Sequence, residues 1–535
     1  MLWPLVLLFS LPCLVRPQST LPALSFNTPL SLSANNFSTS TSTPLLFSLP
    51  SSSQLTVSVA LCAAPSSNAP SVFVSNSTNS QLVPGPNGGS DVFEVTLGDL
   101  GLGNLTLDVS ASTGLLAVYG GTTTDSLEIG VSQGGMTYSI YDFPFSFLIK
   151  SIATPIHEPL ESLPYFGDST ANEALLFSPP FFPPPPPPQP TYPNYTLPQA
   201  NTTPPSLPPP PPGFSSTPNF TLFLAPLDVG LPSLPQTACA IRTGVTSDPS
   251  AEQSAQVLEE QMWLRDERGW RREWLVGRLA TLTNYSVYAI QDGTRLSGPI
   301  YFATKSGLWS FISYLVLCAD GWAKWLAASF SCQLVHGLPY CPTTAYSVPL
   351  PEPPDSAPAY NASNLPDTLA TPLLAYLSNF TASLLVTACG RDFYSPLQTC
   401  ADCQAAYRRW LCAVSLPRCG EFPQDQQQQR QRQQQQQQQA VVPALSPQPS
   451  GTTPRNAALG NSTEYTALLP CIETCNAADR ACPVFLGFRC PDAKVSTAQQ
   501  SYGIGFIDSA DGDVRDGGVP GSAQDQWGNV YCNGN

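Results

Sequence analysis

The chain has 535 residues, of which 11% are charged, and its formal net charge is −15 at pH 7. Globular proteins carry roughly 25% charged residues, and the carboxylates are scattered rather than gathered in a tail. This balance argues against nucleic acid or an anionic membrane surface as a partner. The length suits about three domains.

Residues 1–19 are predicted to be a secretory signal peptide, because the apolar run LWPLVLLFSLPCLV is too short to span a bilayer. No later stretch reaches 18 uninterrupted apolar residues, so we expect membrane association only through a partner. N-glycosylation sequons occur in every predicted domain, which favours a glycoprotein made in the endoplasmic reticulum. The candidates are Asn36, Asn76, Asn104, Asn194, Asn201, Asn219, Asn284, Asn361, Asn379 and Asn461.

Residues 20–165 consist of short apolar or alternating runs between turn residues, and they predict a β-sandwich-like ectodomain or a jelly roll. The predicted strands include 54–62, 91–97, 104–110 and 115–121. Cys62 has no local partner there. It is either a buried free thiol or a partner of Cys239, and the sequence leaves both possibilities open.

Residues 166–215 are predicted to be a proline-rich, semi-rigid linker. Residues 216–306 are predicted to form a second β-rich domain with one helix, placed between Ser250 and Arg268 and ended by Gly269. Near its end, Tyr285 follows a turn in a way that resembles the tyrosine corner of fibronectin-type sandwiches.

Residues 307–535 are predicted to form an α-rich, disulfide-stapled cysteine-rich domain. One helix is expected between Cys403 and Cys412, and another carries Leu373, Leu377, Phe380 and Leu384 on one face. A glutamine- and proline-rich insert at about 422–458 is predicted to be disordered. The disulfide candidates are Cys318, Cys332, Cys341, Cys389, Cys400, Cys403, Cys412, Cys419, Cys471, Cys475, Cys482, Cys490 and Cys532.

Redox and metal chemistry are less favoured for these cysteines than structural disulfides. The CxxC of Cys400 and Cys403 has no thioredoxin-like surroundings, and no second CxxC or histidine pair completes a zinc site. With Cys13 removed in the signal peptide, 15 cysteines remain, so at least one is expected to be unpaired or intermolecular.

No catalytic residue, cofactor site or metal site is predicted, and an enzyme is not expected. His157 and His336 are the chain's two histidines, and neither lies near a nucleophile motif. The acidic run from Asp508 to Gly518 fits a turn-rich loop better than an EF-hand, because Arg515 would occupy a ligand position. A calcium site there stays open.

The segment CADCQAAYRRWLCAVSLPRC resembles the signature of the fungal stretch-activated calcium channel component family, whose members are regulatory subunits needed for pheromone-induced calcium uptake. The supporting segments are LSNFTASL, CIETCNAADRACPVFLGFRCP, SYG and GPIYFATKSG. The matching signature residues beside the cysteines are Ala406, Tyr407, Arg408, Trp410, Leu411 and Pro417.

The resemblance implies an auxiliary subunit that binds the extracellular side of a large four-repeat, voltage-gated-type calcium channel, with calcium ions as the permeant species. It would reside in the endoplasmic reticulum and at the outer face of the plasma membrane. The alternative from the composition is a cell-wall or adhesion glycoprotein without a channel partner. The dense terminal cysteine framework favours the channel subunit.

Overall fold

The computed structural model forms two compact units, Met1–Glu158 and Pro159–Asn535. The structure describes residues 21–33, 43–52, 54–63, 70–76, 83–108, 114–120, 126–133, 156–157, 159–160, 162–184, 218–247, 255–306, 332–387, 394–395, 397–421, 443–449, 459, 464–492, 498, 500–504 and 530–534. The predicted signal peptide and the acidic run at 508–518 lie outside these residues.

The first unit is a sandwich of two four-stranded antiparallel sheets. Its strands are β1 (Leu30–Leu32), β2 (Leu45–Ser48), β3 (Gln54–Leu61), β4 (Ser71–Ser75), β5 (Val92–Val95), β6 (Leu102–Asp108), β7 (Leu115–Tyr119) and β8 (Leu127–Gln133). The strand orders are β1-β8-β3-β6 and β2-β7-β4-β5. These are the two sheets of an eight-stranded jelly roll.

The jelly-roll core contains side chains from both sheets, which confirms the predicted β-rich N-terminal architecture. Val57 and Ile129 on one sheet and Leu116 and Val74 on the other are fully buried within a single apolar cluster. Cys62, just after β3, is buried and disulfide-bonded. Its interpretation as a free thiol is therefore wrong.

The second unit begins with a seven-stranded sandwich. Its strands are β9 (Tyr165–Ser169), β10 (Ala174–Phe177), β11 (Phe220–Pro226), β12 (Gln256–Asp266), β13 (Gly269–Gly277), β14 (Asn284–Gln291) and β15 (Arg295–Ala303), with helix α1 (Ala238–Ser247) after β11. The sheets run β12-β13-β10-β9 and β11-β14-β15. This division into four and three strands is that of a constant-type immunoglobulin sandwich.

A tyrosine corner at the start of β14 supports this topology. The Tyr285 hydroxyl accepts a hydrogen bond of 2.8 Å from the backbone N–H of Ala280, five residues upstream. The corner occurs at the start of the sixth strand, where immunoglobulin-type domains have it. The resemblance noted in the sequence around Tyr285 thus corresponds to a real contact.

The helix predicted between Ser250 and Arg268 is wrong, because those residues form β12. Val257 and Leu258, which contributed to the helix-like spacing, are exposed, whereas Trp263 and Arg265 are buried with the period of two of a strand. Asp266 pairs with Gly269, whose φ of +124° suits a hairpin turn rather than a helix stop. The helix of this region is α1.

The predicted linker at 166–215 also needs correction. Strands β9 and β10 fall within that range, and β10 pairs with β13 deep in the sandwich. The proline-rich run therefore connects two strands of one sandwich instead of separating two domains. The short segments YFGDS and ALLF before the first prolines form the strands, and all of ALLF is buried. Residues 185–217 lie outside the described part.

The cysteine-rich segment belongs to the same compact unit as this sandwich. Its elements are β16 (Gln333–Val335), β17 (Tyr346–Val348), α2 (Asp367–Thr387), α3 (Cys400–Ser415), β18 (Arg418–Gly420), β19 (Leu445–Gln448), β20 (Tyr465–Leu468) and α4 (Ile472–Ala481). Both predicted helices are present. Helices and disulfides together confirm the α-rich, disulfide-stapled character predicted for this end.

Strand β19 lies inside the range 422–458 that the sequence predicts to be disordered, so the prediction is wrong for Leu445–Gln448. This strand pairs with β20, which also pairs with β18. The proline-containing sequence LSPQ has a weak strand signal, and its partners come from residues beyond the insert. Residues 422–442 lie outside the described part.

Deleting residues 424–440 is expected to leave folding and secretion intact. The flanking strands β18 and β19 both pair with β20, and a Cβ placed on Gly420 would meet the Leu445 side chain, so the two ends of the insert lie close together. Closure entropy depends only on the logarithm of loop length, so the free energy of unfolding should change by no more than about 1 kcal/mol. Urea denaturation of the secreted chain measures this. A loss of secretion would contradict it.

Candidate functional site

Helix α3 is the centre of the cysteine-rich segment, and its start is well specified. Thr399 is the N-cap: its hydroxyl accepts from the backbone N–H of Asp402, while the Asp402 carboxylate accepts from the N–H of Thr399 at 2.7 Å. This reciprocal pair is a capping box, which satisfies two otherwise unpaired backbone donors. The helix therefore begins at Cys400.

Disulfides attach α3 to elements far away in the sequence. Cys403 bonds to Cys482 after α4, and Cys412 bonds to Cys341 between β16 and β17. The other described pairs are Cys332–Cys419, Cys471–Cys532 and Cys475–Cys490. Cys239 and Cys400 are also disulfide-bonded. Cys318 and Cys389 lie outside the described residues.

An aromatic cluster fills the space between α3 and its neighbours. The ring of Tyr407 stacks on Phe380 of α2 with centroids 3.6 Å apart, and Trp410 packs edge-on against Phe488 at 4.8 Å. The Trp410 indole donates a hydrogen bond of 3.1 Å to the Tyr502 hydroxyl. Two of the signature residues thus hold α3 against α2 and the chain after α4.

The remaining signature residues have different positions. Leu411 is buried in the core beside the Cys341–Cys412 bridge. Pro417 is half-buried between α3 and β18, where a residue without a backbone N–H suits the end of a helix. Arg408 is half-buried on α3, and among the described residues it has no hydrogen-bond or ion-pair partner.

A buried ionic cluster joins the immunoglobulin-type sandwich to the cysteine-rich segment. Asp168 of β9 accepts hydrogen bonds from Lys305 at 2.9 Å, from Arg418 at 3.1 Å and from the backbone and hydroxyl of Ser347 at 3.0 and 2.8 Å. Burial opposes the charge of Asp168, but Arg418 and Lys305 outweigh it and hold the pKa of that carboxyl well below its usual 3.8. Arg418 adjoins Cys419, so the cluster lies next to a disulfide.

A second polar contact at the same junction involves His336. Its Nδ1 lies 3.3 Å from the buried carboxylate of Glu273 on β13, and its Nε2 lies 3.7 Å from Glu259 on β12. Burial disfavours the imidazolium, but the hydrogen bond and charge of Glu273, aided by Glu259, outweigh this and raise the pKa of His336 above 6.5. The two carboxylates thus favour the protonated form of His336.

The contribution of His336 to stability should be lost as pH rises. A folded-state pKa above the unfolded value means that the stabilisation is complete below pH 6.5 and disappears as pH passes the raised pKa. We expect the free energy of unfolding to fall over that window, and the His336→Gln variant to lack this step. Urea denaturation from pH 5.5 to 8.5 measures it. An identical pH profile for both proteins would contradict the assignment.

Helix α2 is the described helix that is long and apolar enough to cross a membrane by length and composition. One of its faces is not available to lipid, because Leu373, Leu377 and Leu384 are buried against the cysteine-rich core. The opposite face carries the exposed sequon residue Asn379. The exposed side also carries the apolar residues Tyr376 and Val386, so α2 is an apolar helix that packs along one face.

Apolar side chains are exposed at one end of this segment. Val386 in the last turn of α2, Leu397 before α3, and Val484 and Phe485 after α4 are between 55% and 85% exposed. Each lies within three residues of a member of the cluster that contains the Cys403–Cys482 bridge.

The described sequon asparagines are accessible. Asn104, Asn219, Asn284 and Asn379 are exposed, and Asn76 and Asn361 are half-buried. The other predicted acceptors, Asn36, Asn194, Asn201 and Asn461, lie outside the described residues. Glycosylation at these positions stays a prediction.

A serine, a histidine and a carboxylate meet in the jelly roll, which the sequence did not suggest. The Ser58 hydroxyl lies 3.0 Å from Nδ1 of His157, whose Nε2 lies 3.7 Å from Glu128. The order is that of a hydrolase triad, but all three side chains are at most 5% exposed. A hydroxyl enclosed in this way cannot receive a substrate, so the group is structural.

The sulfurs of Cys471 and Cys532 lie near the carboxylate of Glu473. They form a disulfide, and a metal requires deprotonated thiolates. These residues therefore do not fit a metal site.

Sequence comparison identifies what kind of protein has this disulfide framework. The family model described as "Stretch-activated Ca2+-permeable channel component", Mid1, matches residues 54–519. The chain belongs to the Mid1 family. Its relatives include the stretch-activated cation channel MID1 of Cryptococcus neoformans, which is 31% identical over 461 residues covering 81% of this chain and 68% of the relative.

Two yeast relatives match over shorter stretches. The stretch-activated cation channel MID1 of Saccharomyces cerevisiae is 31% identical over 164 residues, which are 30% of this chain and 26% of the relative. The channel yam8 of Schizosaccharomyces pombe is 28% identical over 179 residues, or 33% and 31% of the two chains. Mid1 membership confirms the resemblance noted in the sequence. It implies association with a calcium-permeable channel and a membrane.

Proposed function

We propose that this protein is a regulatory subunit of a plasma-membrane, voltage-gated-type calcium channel and promotes stretch- or pheromone-activated calcium influx. The cysteine-rich segment would bind the extracellular side of a large four-repeat pore subunit. The ions would pass through the partner, and membrane residence would come from the partner.

The observation that carries this proposal is the packing of α2. It is the described helix that could span a bilayer, and its buried leucines pack in the disulfide-linked cysteine-rich segment while its other face bears a sequon. A helix used in this way does not line a pore. Within the described residues, the chain therefore offers a folded binding module for a channel.

Two further features support an extracellular location. Disulfides persist in oxidising compartments and are rare in the cytosol, and the described part of the chain has at least five of them. The described sequons are exposed or half-buried. Synthesis in the endoplasmic reticulum and delivery to the outer face of the plasma membrane follow from this proposal.

Purification of the tagged full chain in a gentle detergent tests the proposal. Identification of a four-repeat calcium channel among the co-purifying proteins is the expected result, and the variant lacking residues 424–440 should recover it equally. Recovery of the chain alone, or of chain crosslinked to wall glucan, would contradict the proposal and favour the cell-wall glycoprotein.

A further inference from the structure

Arg408 differs from Arg409 beside it on α3, because none of the residues that the structure describes compensates its charge. It is half-buried, and desolvation alone lowers the pKa of its guanidinium. Among the described residues, no carboxylate, carbonyl or aromatic ring is paired with it. A desolvated cation without a counter-ion destabilises the fold. With no counter-ion among the described residues, Arg408 is therefore expected to lower the free energy of unfolding of the free chain.

The neighbouring arginine provides a contrast. Arg409, the next residue, has its guanidinium 3.8 Å from the carboxylate of Glu267 at the turn between β12 and β13. Glu267 is 89% exposed, so this pair is an ordinary surface contact of small energy. Two adjacent arginines thus differ in their surroundings: Arg409 pairs with Glu267, whereas no anion among the described residues pairs with Arg408.

The backbone that presents Arg408 is rigid. One turn before it, the Gln404 side chain donates a hydrogen bond of 2.7 Å to Thr381 of α2. One turn after it, Cys412 is bridged to Cys341. A side chain held on a cross-linked helix loses little conformational freedom on binding, which favours affinity.

We propose that the guanidinium of Arg408 binds a carboxylate side chain of the pore subunit. This rests on the proposed function. Guanidinium and carboxylate form two parallel N–H···O bonds, and in a partly desolvated site such a pair is strong. A single protein carboxylate is favoured over a lipid headgroup, because headgroup-binding surfaces gather several cations. The arginine next to Arg408 on α3, Arg409, is already paired with Glu267.

Arg408→Leu and Arg409→Leu form a matched pair for testing this. In detergent pull-downs with the four-repeat pore subunit, Arg408→Leu should weaken binding on the order of 30-fold or more. Arg409→Leu should change it by less than about threefold. Arg408→Lys keeps the charge but loses the bidentate geometry, so its binding should fall between wild type and Arg408→Leu.

Thermal unfolding of the same full-length proteins separates binding from folding. Because an uncompensated, desolvated charge is removed, Arg408→Leu should leave the midpoint of unfolding unchanged or raise it. A midpoint several degrees lower would mean that Arg408 stabilises its own chain, which overturns the proposal. Equal binding by wild type and Arg408→Leu would also overturn it while leaving the subunit assignment intact.

Two further outcomes are decisive. If the wild type does not retain the pore subunit at all, the subunit assignment fails and this inference fails with it. If the wild type floats with vesicles of phosphatidylcholine and phosphatidylserine and Arg408→Leu does not, the anion is a lipid headgroup and the protein carboxylate is excluded.

Discussion

Replacing both Cys341 and Cys412 by alanine is expected to abolish calcium uptake by unfolding the cysteine-rich segment. This bridge joins residues 71 apart, and the chain-entropy relation assigns such a cross-link about 4 kcal/mol. That is a large fraction of the 5–15 kcal/mol by which domains are stable. The fully buried sulfurs also leave a void in the core beside Leu411.

The measurement is secretion of the variant together with calcium uptake of cells that depend on it. Cys419→Ala should behave similarly, because it breaks the Cys332–Cys419 bridge next to the ionic cluster. The double replacement of Cys475 and Cys490 is the matched control: the pair is only 15 residues apart and should cost about 3 kcal/mol. Normal uptake with both Cys412 and Cys419 replaced would show that this framework is dispensable.

Asp168→Asn is expected to destabilise the second unit by about 3–5 kcal/mol, since it removes the buried carboxylate that pairs with both Lys305 and Arg418. Asp168 is 3% exposed and joins strands of both parts of the unit. Its lowered pKa means that its stabilisation is present above about pH 4 and is lost as pH falls further.

Urea denaturation at pH 7 measures this effect, and the chain provides a surface control. Glu260 and Arg272 form an ion pair of 2.6 Å, but the Glu260 side chain is 40% exposed. Glu260→Gln should therefore cost less than about 1 kcal/mol. Equal losses for Asp168→Asn and Glu260→Gln would contradict a special role for the buried cluster.

Local features of the fold could be predicted from the sequence because short-range patterns produce them. The alternating runs at 54–61 and 115–119 became strands of the jelly roll, and the spacing of Leu373, Leu377 and Leu384 became the buried face of α2. The turn before Tyr285 likewise indicated a tyrosine corner. Each depends on residues within about ten positions of one another.

Long-range features could not be predicted in this way. Asp168 and Arg418 are 250 residues apart, and nothing near either residue indicates the other. The pairing of Cys403 with Cys482 is one choice among many for this number of cysteines. The sequence predicts a helix at β12 because Val257 and Leu258, which are exposed in the strand, fit helical spacing.

Arg408 illustrates the limit of the sequence most clearly. The sequence marks it only as a signature residue beside Arg409, and the two look alike. The structure separates them, since Arg409 has Glu267 and Arg408 has no anion among the described residues.

Whole-cell recording of calcium current tests most directly whether this chain assists a pore or forms one. Cells without endogenous relatives would express the chain alone, a four-repeat pore subunit alone, or both. We expect no calcium current from the chain alone and a larger current from the pair than from the pore subunit alone. A calcium-permeable current in cells that express only this chain would contradict the regulatory-subunit proposal.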